Sequence, residues 1–278
     1  MPFISLLLGA LATFNPFIGL LVMMIYSHSF FRLLTGKPVN RALMFLVFPI
    51  VMAIFTFKNP STLIYPVDAI FGAGLVVILY LYALIKRGNP ITALINAALF
   101  ITVYGVMRYY LFGNLLLNAL DQSFAEMEKI MPQAMQNGNI TQMKPVLKSL
   151  LPASWTVSQI LALCAGHLVF LHLGGAHSEL RDFKLPAYYN LFIIAVLPLY
   201  FFPQLHSVFI NVLLALCVLP MVDGIGVIIN LITKRKPNIL INILVTILVL
   251  LNLPIMALIG FADIWLDFRK LNIKGNLL

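Results

Sequence analysis

Residues His206 to Thr233 read HSVFINVLLALCVLPMVDGIGVIINLIT, an apolar run with one charged side chain, Asp223, followed at once by Lys234-Arg235-Lys236. A bilayer core of about 30 Å takes roughly 20 apolar residues as a helix. Cations clustered at the end of such a run hold a membrane helix on the cytoplasmic side. The stretch is therefore read as a membrane span.

Working outward, seven further stretches have the same character, at about 3–26, 39–57, 66–86, 90–112, 155–176, 187–203 and 237–267. The composition agrees, since 62% of the 278 residues are hydrophobic and 10% charged, with mean hydropathy +1.00, against roughly 25% charged in an average soluble domain. A soluble globular protein is excluded. The expected fold is all-α, a polytopic integral membrane bundle of about eight helices forming one domain over residues 1–278. The first stretch has no Lys or Arg ahead of it and is too long for the apolar core of a secretory signal, so it is expected to be a retained span.

Between the fourth and fifth stretches, residues 113–154 carry Asp121, Glu126, Glu128, Lys129, Lys144 and Lys148 and cannot be embedded. This insert divides the chain into spans 1–4, about 3–112, and spans 5–8, about 155–267. Leu116, Leu120, Phe124, Met127 and Ile130 recur at helical spacing, and so do Val146, Leu147, Leu150 and Leu151, which predicts two short amphipathic helices. Pro132 ends the first, and Asn137-Gly138 marks the turn. Such helices lie on the bilayer or cap the bundle in the plainer reading, and dock a partner in the sharper one.

The 18 Lys and Arg against 9 Asp and Glu give a formal charge of +9, but the cations sit in short loops, where they set orientation. Arg32, Lys37, Arg41, Lys86, Arg87, Arg181, Lys184, Lys234, Arg235 and Lys236 fall on one face. Lys58, the insert's three lysines, Arg269, Lys270 and Lys274 fall on the other. This bias puts both termini and the insert outside the cytoplasm, unless a re-entrant segment moves the basic tail inside. An echo of Pro66-Val67-Asp68 through Asn96 in Pro220 through Asn242 suggests a parallel internal repeat, as in some transporter folds.

An ionisable group in the hydrocarbon costs on the order of 2.5–3.5 kcal/mol and normally faces the bundle with a partner. Asp223 is the clearest case, about 16 Å along a helix from Lys234 and flanked by Pro220, Gly224 and Gly226. In the last stretch Asn252 and Pro254 precede Gly260, Asp263 and Asp267. Asp263 and Asp267 share a helix face, where they hold a cation or proton, or Asp267 pairs with Arg269 or Lys270. Asp223, Asn230, Asn252 and Asp263 are the expected ligand-binding residues, with helix–helix hydrogen bonding as the alternative role. Asp68 is read as offsetting a helix dipole after Pro66, and Arg108 as snorkelling to the headgroups.

Other chemistry is not signalled. His167, His172 and His177 are spaced by five, which turns each about 140° from the last on a helix, so one metal cannot be ligated by all three. HExxH, GxSxG and P-loop patterns are absent, no basic-aromatic face suits nucleic acid, and Cys164 and Cys217 lie in apolar runs. No enzyme activity, cofactor or nucleic-acid partner is expected.

The loop Leu180-Arg181-Asp182-Phe183-Lys184-Leu185-Pro186, the stretch Asp223-Gly224-Ile225-Gly226-Val227-Ile228 and the ending Gly260-Phe261-Ala262-Asp263-Ile264-Trp265-Leu266-Asp267-Phe268-Arg269 resemble the YybS-like family of uncharacterised bacterial inner-membrane proteins. The resemblance covers roughly the last 100 residues. It implies a multi-pass protein of the bacterial inner membrane, distantly similar to the substrate-capture subunits of energy-coupling-factor transporters and to small cell-shape scaffolds. The first likeness implies ligand binding within the bundle and a separate ATPase or other membrane-protein partner besides the bilayer. The second implies a non-transporting scaffold or envelope-assembly factor.

Overall fold

The computed structural model describes residues 2–32, 38–130, 139–175, 180–235 and 238–270, and all regular structure among them is helical. In chain order the helices are α1 (Pro2–Phe14), α2 (Pro16–Arg32), α3 (Pro38–Thr56), α4 (Pro60–Arg87) and α5 (Pro90–Ile130). There follow α6 (Asn139–Leu173), α7 (Ala187–Phe201), α8 (Pro203–Arg235), α9 (Ile239–Leu251) and α10 (Leu253–Leu266).

Five of these helices, α3, α4, α5, α6 and α8, are long and apolar enough to cross a membrane, and the bent pair α9–α10 makes six if it counts as one. The remaining differences from the eight expected stretches have local causes. The first stretch breaks at Asn15-Pro16, where the Asn15 side chain accepts from the amides of Phe17 and Ile18 and starts a new helix with Pro16 in its first turn. Gly19 is folded against Ala12, so close that a Cβ there would collide with it. The sixth stretch yields only the short α7. The eighth turns by 94° between α9 and α10, at Asn252, with Pro254 in the first turn of α10.

The two amphipathic helices expected in the insert are not separate elements. Nothing after Phe112 breaks α5, which continues to Ile130 as a single helix of 41 residues, about 60 Å long and twice the thickness of a bilayer core. Helix α6 likewise starts at Asn139 and carries Pro145 and Pro152 inside it. Proline at 152 would leave the helix ladder broken, but the Asn211 amide of α8 fills the gap. Its oxygen accepts from the Ala153 amide and its nitrogen donates to the Ser149 carbonyl, both at 2.8 Å. Lys144 and Lys148 each reach Asp121 at 2.7 Å across the pair. The insert is thus a two-helix stalk continuous with α5 and α6; Pro132 and the Asn137-Gly138 turn lie outside the described residues.

The core lies where α2, α4, α5 and α6 meet, around the fully buried Met23, Tyr80, Leu81, Leu94, Ile101 and Leu163. Large apolar residues on the outer faces, such as Phe55 and most of α9, stay exposed, as suits side chains that face lipid. Helices α8 and α10 cross with backbones in contact: a Cβ on Gly224 would strike the Met256 carbonyl, and one on Gly260 the Pro220 carbonyl.

Candidate functional site

Two buried ionic clusters stand out. The first contains Asp223 and Asp263, which the crossing of α8 and α10 brings to one point, where both carboxylates are held by Arg269. The Arg269 guanidinium forms an ion pair with Asp223, donates to Asp263 from Nε at 3.1 Å and Nη2 at 2.7 Å, and binds the carbonyls of Arg181 and Phe183 through Nη1 at 2.9 and 2.7 Å. Arg269 is 3% exposed and both aspartates are fully buried. A second bridge joins Lys184 to Asp267, whose left-handed backbone (φ 45°) caps α10 and turns the chain back.

These contacts put the start of the tail against the 180–185 loop, so Arg269 and Lys270 share a side with Arg181 and Lys184. The cation count had placed them on opposite faces. The chain bends by 94° between α9 and α10, and α10 leads back to the 180–185 loop. Lys37, Lys236 and Lys274 lie outside the described residues.

The other two expected ligand residues stand apart. Asn252 is half-buried at the bend and its amide donates to the Leu248 carbonyl at 2.8 Å, finishing α9. Asn230 is half-buried on α8, seven residues beyond Asp223, about 10 Å along the helix. The structure therefore joins Asp223 and Asp263 but not Asn230 and Asn252. A cavity of about 360 Å³, lined in part by Asn89, Thr92, Lys184, Leu185 and Ile264, adjoins the ionic knot.

The second cluster joins residues to which the sequence assigned separate roles. Asp68 does not open a helix: α4 begins at Pro60, capped by the Asn59 side chain, and Asp68 starts a wide π turn over Asp68–Gly74. Such turns occur mostly as single inserts within α-helices, often at functional sites. Arg108 does not snorkel, because α5 continues past it, and it turns inward to Asp68. Its Nε donates to both carboxylate oxygens, at 2.8 and 3.0 Å, and Tyr104 donates to Asp68 at 2.7 Å. The guanidinium carbon lies 4.8 Å from the centre of the Trp155 ring. Arg108 is 9% exposed and Asp68 4%.

This pair floors a cavity of about 530 Å³ at the base of the stalk, with Ser61, Tyr65, Asn118 and Gln122 around it and Ile64, Leu115 and Leu116 as apolar wall. The pairing was legible by counting: Asp68 and Arg108 each stand twenty residues from Gly88. In an antiparallel helix hairpin, equal distances from the turn mean equal depth.

Behind the cavity, Gln159 of α6 donates to the carbonyls of Gly72 in the π turn and Pro16 at the α1–α2 break, tying together the two irregular backbones. Two turns further, His167 shares a hydrogen bond of 2.8 Å with Tyr80. His177 lies outside the described residues. Among the described residues no group of three His, Cys, Asp or Glu side chains is placed to hold a metal ion. No protein-family model, curated protein or solved structure matches the chain.

Proposed function

We propose that this protein is transport-related and binds a small polar or amphipathic molecule within its helix bundle, at the cavity floored by Asp68 and Arg108. The observation that supports this is a buried ion pair, locked by Tyr104 and Trp155, at the bottom of a cavity of about 530 Å³. Ligand sites are concave, largely apolar and furnished with a few fixed polar groups, and intramembrane ion pairs commonly mark substrate paths. Asp223 and Asp263 are assigned instead to holding the tail through Arg269. A bacterial inner membrane, and a separate ATPase or other membrane-protein partner, belong to the same proposal and rest on the family resemblance.

The test is native mass spectrometry of the full chain, extracted gently from its own membranes, beside an Ala119→Phe variant. Ala119 is exposed and lines the cavity, so phenylalanine there takes up space in it while Asp68 and Arg108 stay unsubstituted. The parent chain is expected to carry a stoichiometric adduct that the variant lacks. A bare parent chain, or an adduct indifferent to Ala119→Phe, contradicts the reading.

The stalk favours a second reading, a non-transporting scaffold or envelope-assembly factor, because about half of α5 projects beyond a bilayer core. It predicts that shortening the stalk abolishes recovery of partner chains while the spans stay folded.

A further inference from the structure

Resting on that binding reading, we infer that the group recognised in this cavity is an acidic one, a phosphate or carboxylate, carried by an amphiphile. A guanidinium has five N–H donors. In Arg108 only Nε is engaged, by Asp68, and among the described residues no acceptor is bonded to Nη1 or Nη2. The edge of the planar group that carries those two nitrogens is the one the Asp68 contact leaves open, and Arg108 lines the cavity. Two parallel donors match the two oxygens of a phosphate or carboxylate, and such charge-assisted pairs are about twice as strong as neutral ones.

The fork is held ready. Asp68 fixes it along one edge, Tyr104 fixes Asp68, and the Trp155 ring supports its face, so little freedom is lost when an anion docks. Among the described residues Arg108 is the only cation in the lining, which suits one acidic group rather than a polyphosphate.

The apolar part of the ligand follows from position. The cavity lies where α5 passes from the apolar run ending at Phe112 to the charged stretch beginning at Asp121, the level of a polar–apolar boundary. Its wall of Ile64, Leu115 and Leu116, with Tyr65 at the mouth, gives chains attached to the acidic head a path into lipid.

Trp155 provides the readout, since the only other tryptophan is the exposed Trp265. The full chain with Trp265→Phe, stripped of lipid in a non-ionic detergent, is titrated with short-chain phosphatidic acid, short-chain phosphatidylcholine or inorganic phosphate while Trp155 fluorescence is followed. The expected result is a saturable change with phosphatidic acid, none with the neutral lipid, and binding at least about tenfold weaker in Asp68→Asn/Arg108→Gln. That double variant replaces the ion pair by two amides and leaves no buried charge unpaired, so it guards against loss of folding.

Saturation by inorganic phosphate alone identifies a free anion as the source, which upholds the acidic group and overturns the amphiphile. Equal binding of phosphatidylcholine, unchanged in the double variant but abolished by Ala119→Phe, overturns the acidic group while leaving the binding cavity standing. No binding of any probe, with Ala119→Phe also without effect on the native adduct, overturns both.

Discussion

At the scale of single residues, Arg269 carries the heaviest load in the α8–α10 half of the chain. One cation serves two buried carboxylates and two backbone carbonyls, so its removal leaves two unpaired charges in a low-dielectric site. Breaking a buried pair by deleting one partner costs about 3–5 kcal/mol. Arg269→Ala is therefore expected to lower the thermal unfolding midpoint in detergent sharply, and Arg269→Lys to rescue it only in part, because an ammonium cannot reproduce the planar fork. Asp223→Asn is expected to cost less than Arg269→Ala, since it leaves a neutral Asp263–Arg269 pair. Equal losses for Asp223→Asn and Arg269→Ala would show that the charges are not balanced as described. That Asp223 and Asp263 face inward was legible from their isolation in apolar sequence. Their common partner was not, because Arg269 reaches them only through a turn in the backbone at Asp267.

At the scale of elements, glycine sets the distance between α8 and α10. Any side chain at 224 or 260 meets the backbone of the opposite helix, the close approach that small residues permit in membrane helices. Gly260→Ala is expected to destabilise by about 1–3 kcal/mol or more through overpacking, whereas Ala at Gly113, which meets only the Tyr109 ring at ordinary contact distances, is expected to be tolerated; melting of the two variants in detergent decides. Hydropathy located every long helix, and the polar pair Asn15-Pro16 marked a kink in the first stretch, but the sharp turn at Asn252 and the run of α5 past Phe112 were not foreseen. Asn15-Pro16 and Asn252-Leu253-Pro254 interrupt helices without interrupting apolarity. In the stalk, polarity rises along α5 without any break in the helix. Pro152 reads as a breaker, yet α6 survives it because Asn211, fifty-nine residues away, supplies the missing hydrogen bonds.

At the scale of the whole molecule, the bend between α9 and α10 decides the topology. It brings the start of the tail to the 180–185 loop, and the stalk stands at the other end of α5 and α6. In a chain lacking Cys164 and Cys217, single cysteines at the exposed positions Asp182 and Lys270 are expected to react with an impermeant thiol reagent from one side of the membrane, and a cysteine at Glu126 from the other. Labelling of positions 182 and 270 from opposite sides would contradict the arrangement. The same architecture carries the Asp68–Arg108 cavity to the base of the stalk, opposite the basic loops. The measurement that tests that central assignment most directly is an electron-density map of the protein crystallised with the lipids it carries from its own membranes. The account predicts a bound acidic head within hydrogen-bond distance of Arg108 Nη1 and Nη2, with its apolar part along Leu115 and Leu116. A cavity closed by protein, or holding only water at those two nitrogens, would contradict it.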